Sequence, residues 1–292
     1  MKIGICLGEW HFPNRHEWLT ALKQCGFDAL DYTGKDLGKL SPADEAEYCK
    51  QLKKDLKDHD VFINQTHAPF LIDRPESEFL SDEFYEQVKT AIERTARLGV
   101  KYIAVHPYVP QGYDFFVNAR TYDYSKLIAH NKEVNLSFFS RFTPLLKETG
   151  VKICIENLFA YDVLLQRHVL ATCGDADEAN FYIDQLGDEN FGCCYDTGHL
   201  NHFGMDEETY VRKLGKRIKI LHLNDSWGKN FYGMDWHLMP GQGDVNWEKV
   251  ASALKEVGYD GVASFEVTPR PGKFFMPQLK YIGEMGNLIF NS

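Results

Sequence analysis

Lys216-Arg-Ile-Lys-Ile-Leu-His222-Leu-Asn-Asp225 opens a stretch that runs through a polar, Gly-containing loop to Asp235-Trp236-His237, the turn Pro240-Gly-Gln-Gly-Asp244 and Trp247. Its first half carries Ile218, Ile220, Leu221 and Leu223, a short apolar run of the kind that forms a buried strand. The end of that strand presents His222 and Asp225 where the chain leaves the core. Thirteen residues after His222 comes Asp235-x-His237, oxygen and nitrogen ligands on a loop that must fold back over the strand end. An imidazole facing a carboxylate and a second imidazole is what a divalent metal needs.

Outward from this stretch, strand-like and helical runs alternate from end to end. Strands are expected at Ile3–Leu7, Ala29–Tyr32, Val61–Thr66, Tyr102–Val105, Lys152–Ile155, Phe191–Tyr195, Ile218–Leu223 and Val262–Phe265. Helices are expected over Glu17–Cys25, Pro42–Leu56 with Ser41 as N-cap, Asp82–Leu98, Ser125–Glu148, Ala176–Leu186, Asp206–Leu214, Trp247–Val257 and Pro277–Ile289. Gly26, Gly99, Gly150 and Gly258 each stop a helix shortly before a strand. Eight such units with no composition break predict an α/β fold: a single parallel (β/α)8 barrel, one domain over residues 1–292. An open doubly wound sheet is the competing architecture, but the Gly-x-Gly-x-x-Gly turn expected after its first strand is missing.

Composition narrows the function classes. The formal charge of −10, from 32 basic and 42 acidic residues, disfavours non-specific nucleic-acid binding. No apolar run reaches membrane-spanning length, and the N-terminal strand is too short for a signal peptide. Seven cysteines without a Cys-x-x-Cys pair suit a reducing, cytoplasmic setting, with Cys193-Cys194 as buried thiols.

A barrel of this kind places its active site at the C-terminal ends of the strands. Those ends carry His67, His106, Glu156-Asn157, Asp196-Thr-Gly-His199, His222 followed by Asp235 and His237, and Glu266. Taken singly, each has a plain structural explanation, such as a hydrogen-bonded histidine or a helix cap. Nine ligand-type side chains on one face point to a metal site. Glu156, Asp196, His222 and Glu266 make a three-carboxylate, one-imidazole set that favours Mn²⁺, Mg²⁺, Co²⁺ or Zn²⁺ over copper. His67, His106, His199, Asp235 and His237 are richer in nitrogen. They either bind further zinc ions, up to three in all, or support the first ion and orient substrate.

These motifs resemble the xylose-isomerase-like superfamily of barrels, which includes sugar isomerases, ketose epimerases, inositol-catabolism enzymes and the endonuclease IV branch. The resemblance rests on Ile155-Glu156-Asn157, Asp196-Thr-Gly-His199, His222-Leu-Asn-Asp225 and Asp235-x-His237 with its Gly-x-Gly turn. In the epimerase branch it implies one divalent ion on Glu156, Asp196, His222 and Glu266. Glu156 and Glu266 would then act as acid and base on opposite faces of a sugar or polyol-derived ketone, through a metal-stabilised enediolate.

In the endonuclease IV branch all nine residues match the ligands of a trinuclear zinc cluster that cleaves a phosphodiester at abasic DNA. Departures weaken that branch. Leu158, Phe159, Ala160 and Tyr161 replace a Gly-rich run, Trp227 and Trp236 stand where cations are usual, and Glu9-Trp10-His11-Phe12 replaces a small-residue loop. The aromatics at the mouth, Trp10, Phe12, Phe70, Tyr108, Trp227 and Trp236, suit a sugar or cyclitol ring or simply pack loops together. His11, Trp10, Trp227 and Asp225 are the candidate substrate-binding residues, and Lys229 and Arg270 are basic residues near a possible phosphate. A non-catalytic sugar-binding barrel is a third class, disfavoured because binding alone needs no opposed acid and base.

Overall fold

The computed structural model describes residues 1–33, 37, 40–71, 74–109, 124–162, 167–170, 172–202, 204–228 and 235–292. Its central sheet consists of β1 (Lys2–Cys6), β2 (Ala29–Tyr32), β3 (Phe62–His67), β4 (Tyr102–Val105), β5 (Lys152–Glu156), β6 (Phe191–Asp196), β7 (Ile218–His222) and β8 (Val262–Phe265). All neighbours pair in parallel, and β1 joins both β2 and β8. The ring closes between β7 and β8. There Leu223 N–H donates to Ser264 O at 2.8 Å and Glu266 N–H donates to Leu223 O at 2.9 Å. The architecture is the expected (β/α)8 barrel.

The helices between strands are α1 (Arg15–Gln24), α2 (Pro42–Asp58), α3 (Asp82–Leu98), α4 (Tyr124–Ser140), α5 (Thr143–Thr149), α6 (Ala176–Leu186), α7 (Glu207–Leu214), α8 (Trp247–Glu256) and α9 (Phe275–Asn291). Local chemistry sets their ends. Ser41 Oγ accepts the Asp44 N–H at 3.2 Å ahead of Pro42, as the sequence predicts, and Ser81 Oγ caps α3 through Phe84 N–H at 3.2 Å. Gly99 ends α3 with φ +76°, a left-handed conformation that residues with a Cβ adopt at a cost. Along α3, Phe84, Val88, Ile92, Thr95 and Leu98 recur at helical spacing and are buried against the sheet. Each of the four apolar ones contributes roughly 1.5–3 kcal/mol by leaving water.

Two expectations differ from the structure. The single helix expected over Ser125–Glu148 is two, α4 and α5, separated at Arg141-Phe142. Pro144, at the start of α5, has no N–H to continue α4 and its ring crowds the preceding turn. After β5 the chain also forms an antiparallel hairpin of Phe159–Asp162 and Arg167–Leu170, which periodicity does not announce. Among the described residues no helix is long and apolar enough to cross a membrane. Cys193 and Cys194 are both buried, as expected for thiols in an apolar strand.

The core has two parts. A large apolar layer lies between sheet and helices, and a small cluster of Ala104, Cys154, Cys194 and Ile220 is separate from it. Those four residues come from β4, β5, β6 and β7, and side chains two positions apart on a strand share a face. Two positions further on stand His106, Glu156, Asp196 and His222. Apolar residues thus plug this part of the barrel interior, and the next inward layer at its C-terminal mouth is made of ligand-type side chains.

Candidate metal centre

Strand register brings the candidate ligands together. β5 and β6 pair Glu156 with Cys194, β6 and β7 pair Asp196 with His222, and the closing bridge sets Glu266 beside Leu223. Glu156 is the hub. Its Oε2 lies 3.2 Å from His222 Nδ1, 3.3 Å from His106 Nε2 and 3.5 Å from His67 Nε2, while its Oε1 lies 3.4 Å from His199 Nδ1. Glu266 Oε2 approaches His222 Nδ1 at 3.2 Å. On the far side Asp235 Oδ2 stands 2.7 Å from His237 Nε2 and 3.3 Å from His199 Nε2.

Three groups of these residues have ligand atoms within 4.8 Å of one another: Glu156, Asp196, His222 and Glu266; His67, Glu156 and His222; and His199, Asp235 and His237. The donors fit a cation. Glu156 Oε2 and His222 Nδ1 are fully buried and approach to 3.2 Å, yet neither has a hydrogen-bond partner. Buried polar atoms are otherwise almost always paired, so atoms that converge without bonding each other are disposed to bind a common third atom.

The flanking residues explain why the motifs have their form. Asn157 locks β5 to β6, its Nδ2 donating to Asp196 O at 2.9 Å and its Oδ1 accepting Asp196 N–H at 2.7 Å. Asn157 O also lies 2.8 Å from His199 Nδ1. Asn224 Nδ2 donates to Asp196 Oδ2 at 2.8 Å, and its backbone exchanges hydrogen bonds with Thr197 Oγ1 at 2.7 and 3.0 Å. Asp196 Oδ1 caps the short helix Thr197–Asn201 through His199 N–H at 2.7 Å. Gly198 is required because a Cβ there would strike the Asn224 carboxamide. Cap, glycine and paired asparagines therefore hold Asp196 and His199 in place.

The electrostatics follow from packing carboxylates and imidazoles in a buried site. Burial works to raise the Glu156 carboxyl, but His222 and His106 outweigh it and hold it well below the ordinary carboxylate range. Burial pushes the Asp196 carboxyl up to about 6, with Glu156 adding to the rise and His199 opposing it. Burial disfavours a charged His222, yet Cys194, Glu266 and Glu156 raise it well above its usual value. His237 is pushed up to about 10 against its burial by Glu266 and Asp235. His199 is likewise raised against its burial, by Asp196 and Asp235, whereas burial dominates at His106 and lowers it.

All nine strand-end candidates thus meet at one mouth, and the proposed substrate contacts divide. Phe70 is exposed and stacks on His106, ring centroids 4.5 Å apart, which puts it directly at the mouth. Trp10 lies over Gly8 and against His11, and His11 packs on Phe275 at the start of α9. Trp227 is exposed. Tyr108 packs on Phe79 instead. Asp225 is fully buried, and its carboxylate accepts Ser226, Gly241 and Val245 N–H at 3.0, 2.8 and 3.0 Å and Trp247 Nε1–H at 3.2 Å. It ties the Gly-x-Gly turn to β7 and has no face turned to substrate. Lys229 lies outside the described residues, and Arg270 bonds Gln278 through its backbone.

One residue the motifs do not flag is Asp31, buried in the middle of β2. Its Oδ2 lies 3.0 Å from His222 Nε2 and accepts Gln65 Nε2–H at 2.9 Å. The signal available in the sequence is a carboxylate between Leu30 and Tyr32 in an otherwise apolar strand. Buried charges are rare unless paired.

A family model described as xylose isomerase-like TIM barrel matches residues 19–284. An uncharacterized protein of Methanocaldococcus jannaschii is 30% identical over 273 residues, covering 91% of this chain and 83% of that protein. The D-psicose 3-epimerase of Agrobacterium fabrum is 22% identical over 93% of this chain and 86% of its own length. Among solved structures, the IolI protein with a zinc atom superposes with a TM-score of 0.71 at 21% identity, covering all of both chains.

Proposed function

Because the chain belongs to the xylose isomerase-like TIM-barrel family, we propose that it is a divalent-metal-dependent isomerase or epimerase of a sugar or polyol-derived ketone. The observation that carries this reading is a pair of carboxylates that converge on one imidazole nitrogen. Glu156 and Glu266 each come within 3.2 Å of His222 Nδ1, in one ligand group with Asp196. The epimerase activity and the zinc atom that two similar proteins are described with point the same way.

Glu156, Asp196, His222 and Glu266 would hold one ion. When bound, such an ion supplies Lewis-acid polarisation of a carbonyl and its neighbouring hydroxyl. The residues do the rest. One of Glu156 and Glu266 takes the proton from the carbon beside the carbonyl, leaving an enediolate, and the other returns a proton to the opposite face or to the adjacent carbon. Glu266 is partly exposed and can exchange its proton with water between turnovers, whereas Glu156 is sealed among imidazoles. Phe70 over His106 gives a sugar ring an apolar face to lie on.

A second reading is an endonuclease IV-like phosphodiesterase using several zinc ions. It is favoured by the presence of all three ligand groups, not the first alone. Elemental analysis of protein purified without chelator or added metal separates the two. About one equivalent per chain, with turnover of a ketose panel, supports the isomerase. Two or three equivalents of zinc with cleavage of abasic DNA and no turnover of ketoses supports the phosphodiesterase.

A further inference from the structure

The N-terminal face of the barrel, opposite the candidate metal centre, carries a cationic cavity of about 290 Å³. Its wall is made by Asp188 and Phe191, leading into β6, and by Leu214, Lys216, Arg217 and Lys219, between the end of α7 and β7. Every loop that joins a helix to the next strand at this end lies among the described residues. Lys152, the first residue of β5, is only 9% exposed, and its ammonium donates to Asp188 O in that wall. The Lys219 ammonium donates to Lys216 O. Gly192 makes room for this lysine, because a Cβ there would lie 2.6 Å from Lys219 Cγ. Burial lowers the Lys152 ammonium from its ordinary value, and the neighbouring Lys219 charge lowers it further.

The chain does not balance the charge it gathers here. Arg217 pairs with Asp184 and donates to Asn180 Oδ1 at 2.7 Å. Among the described residues Lys152, Lys216 and Lys219 have no carboxylate at ion-pair distance, and the exposed Asp188 is the one acidic residue of the wall. An ammonium has three donors, so Lys152 and Lys219 each keep two beyond the carbonyl they bond. We propose that this cavity binds a phosphate group, free or on a small ester, with Lys216, Arg217 and Lys219 around it and Lys152 behind. A divalent oxyanion offsets the repulsion between Lys152 and Lys219 and accepts charge-assisted hydrogen bonds from ammonium and guanidinium groups alike. The space lies just below the range of roughly 300–1,000 Å³ that encloses drug-sized ligands, which suits a phosphate or a small ester. Lys152 and Glu156 stand at opposite ends of β5, about 13 Å apart along the strand. The site is therefore independent of the isomerase reading and of any phosphate on its substrate.

The test is thermal melting of metal-loaded protein titrated with inorganic phosphate and, separately, with glycerol phosphate, at an ionic strength held constant with chloride. Wild type should melt higher along a saturable curve, because a ligand that binds only the folded state stabilises it. Lys216→Gln and Lys219→Gln should each weaken the apparent affinity about tenfold, the loss of one charge-assisted bond. Lys213→Gln removes an exposed lysine that pairs with Asp177 outside the cavity, and should leave the affinity unchanged. Lys152→Met should diminish the gain that phosphate gives. Tighter binding of the ester assigns the cavity to a phosphorylated metabolite, and equal binding assigns it to free phosphate; either result supports the site. The proposal is overturned if wild type shows no saturable rise. It is equally overturned if Lys216→Gln and Lys219→Gln leave the rise unchanged, since phosphate then binds elsewhere, such as at the metal.

Discussion

Asp31→Asn tests how the barrel interior prepares His222 as a ligand. The Asp31 carboxylate faces His222 Nε2 at 3.0 Å, held there by Gln65, while Nδ1 faces Glu156 and Glu266. A carboxylate on Nε2 favours the tautomer that keeps a proton there and leaves Nδ1 a lone pair for a metal. A hydrogen bond to a charged group contributes about 1.5–3 kcal/mol against about 0.5–1.5 for a neutral one. The contact is short but lies off the hydrogen-bond axis, as the absence of a bonded partner at Nε2 records, so the lower part of the difference applies. About 1–1.5 kcal/mol corresponds to roughly a tenfold loss of metal affinity. Asp31→Ala removes the acceptor entirely and should cost closer to 100-fold, the upper end for partners of ligating histidines. Affinity is read by competition with a chromophoric chelator, and melting in excess chelator separates it from unfolding. If both variants fold and bind metal as tightly as wild type, Asp31 does not orient His222 and the reasoning fails.

Other predictions concern the rest of the site. His67→Ala or His106→Ala should leave the ion on Glu156, Asp196, His222 and Glu266, with stoichiometry by elemental analysis unchanged; loss of a whole equivalent in either shows that these histidines carry an ion of their own. The pairs that raise His199, His222 and His237 stabilise the metal-free fold fully below the unfolded histidine value of about 6.5, and that stability is lost as pH rises towards the His237 value of about 10. Chelator-treated protein should therefore melt progressively lower across that window, and metal affinity should rise over it as protons are displaced; a flat melting profile contradicts the assigned pairs. Gly198→Ala should displace Asn224 from Asp196 and cost about 1–3 kcal/mol of stability, measured by denaturant unfolding, because the Cβ has no space.

Much of this was legible in the sequence for a specific reason. A parallel barrel strand is buried on both faces and reads as a largely apolar run, so ligand-type side chains at its mouth stand out. Glu156, Asp196 and His222 stand out at the ends of apolar runs, and the helix stops at Gly99 and Gly150 separate one unit from the next. Asp225 shows the limit of that logic. A strand-end carboxylate can equally tie down a loop, and only the donors from Gly241, Val245 and Trp247 distinguish the two uses. Asp31 was hidden for the opposite cause, since it sits inside a strand and its partner His222 is distant in sequence. The break at Arg141-Phe142 depends on Pro144, a signal that was present and outweighed by the helical run around it.

The most direct test of the central claim is proton exchange at carbon. Metal-loaded protein is incubated with a panel of keto sugars in D2O, and deuterium beside the carbonyl is followed by NMR. The account predicts deuterium incorporation together with an isomerised or epimerised product, reduced about 10²–10⁴-fold in Glu156→Gln and in Glu266→Gln. Product formed without deuterium, or exchange undiminished in both variants, would contradict it.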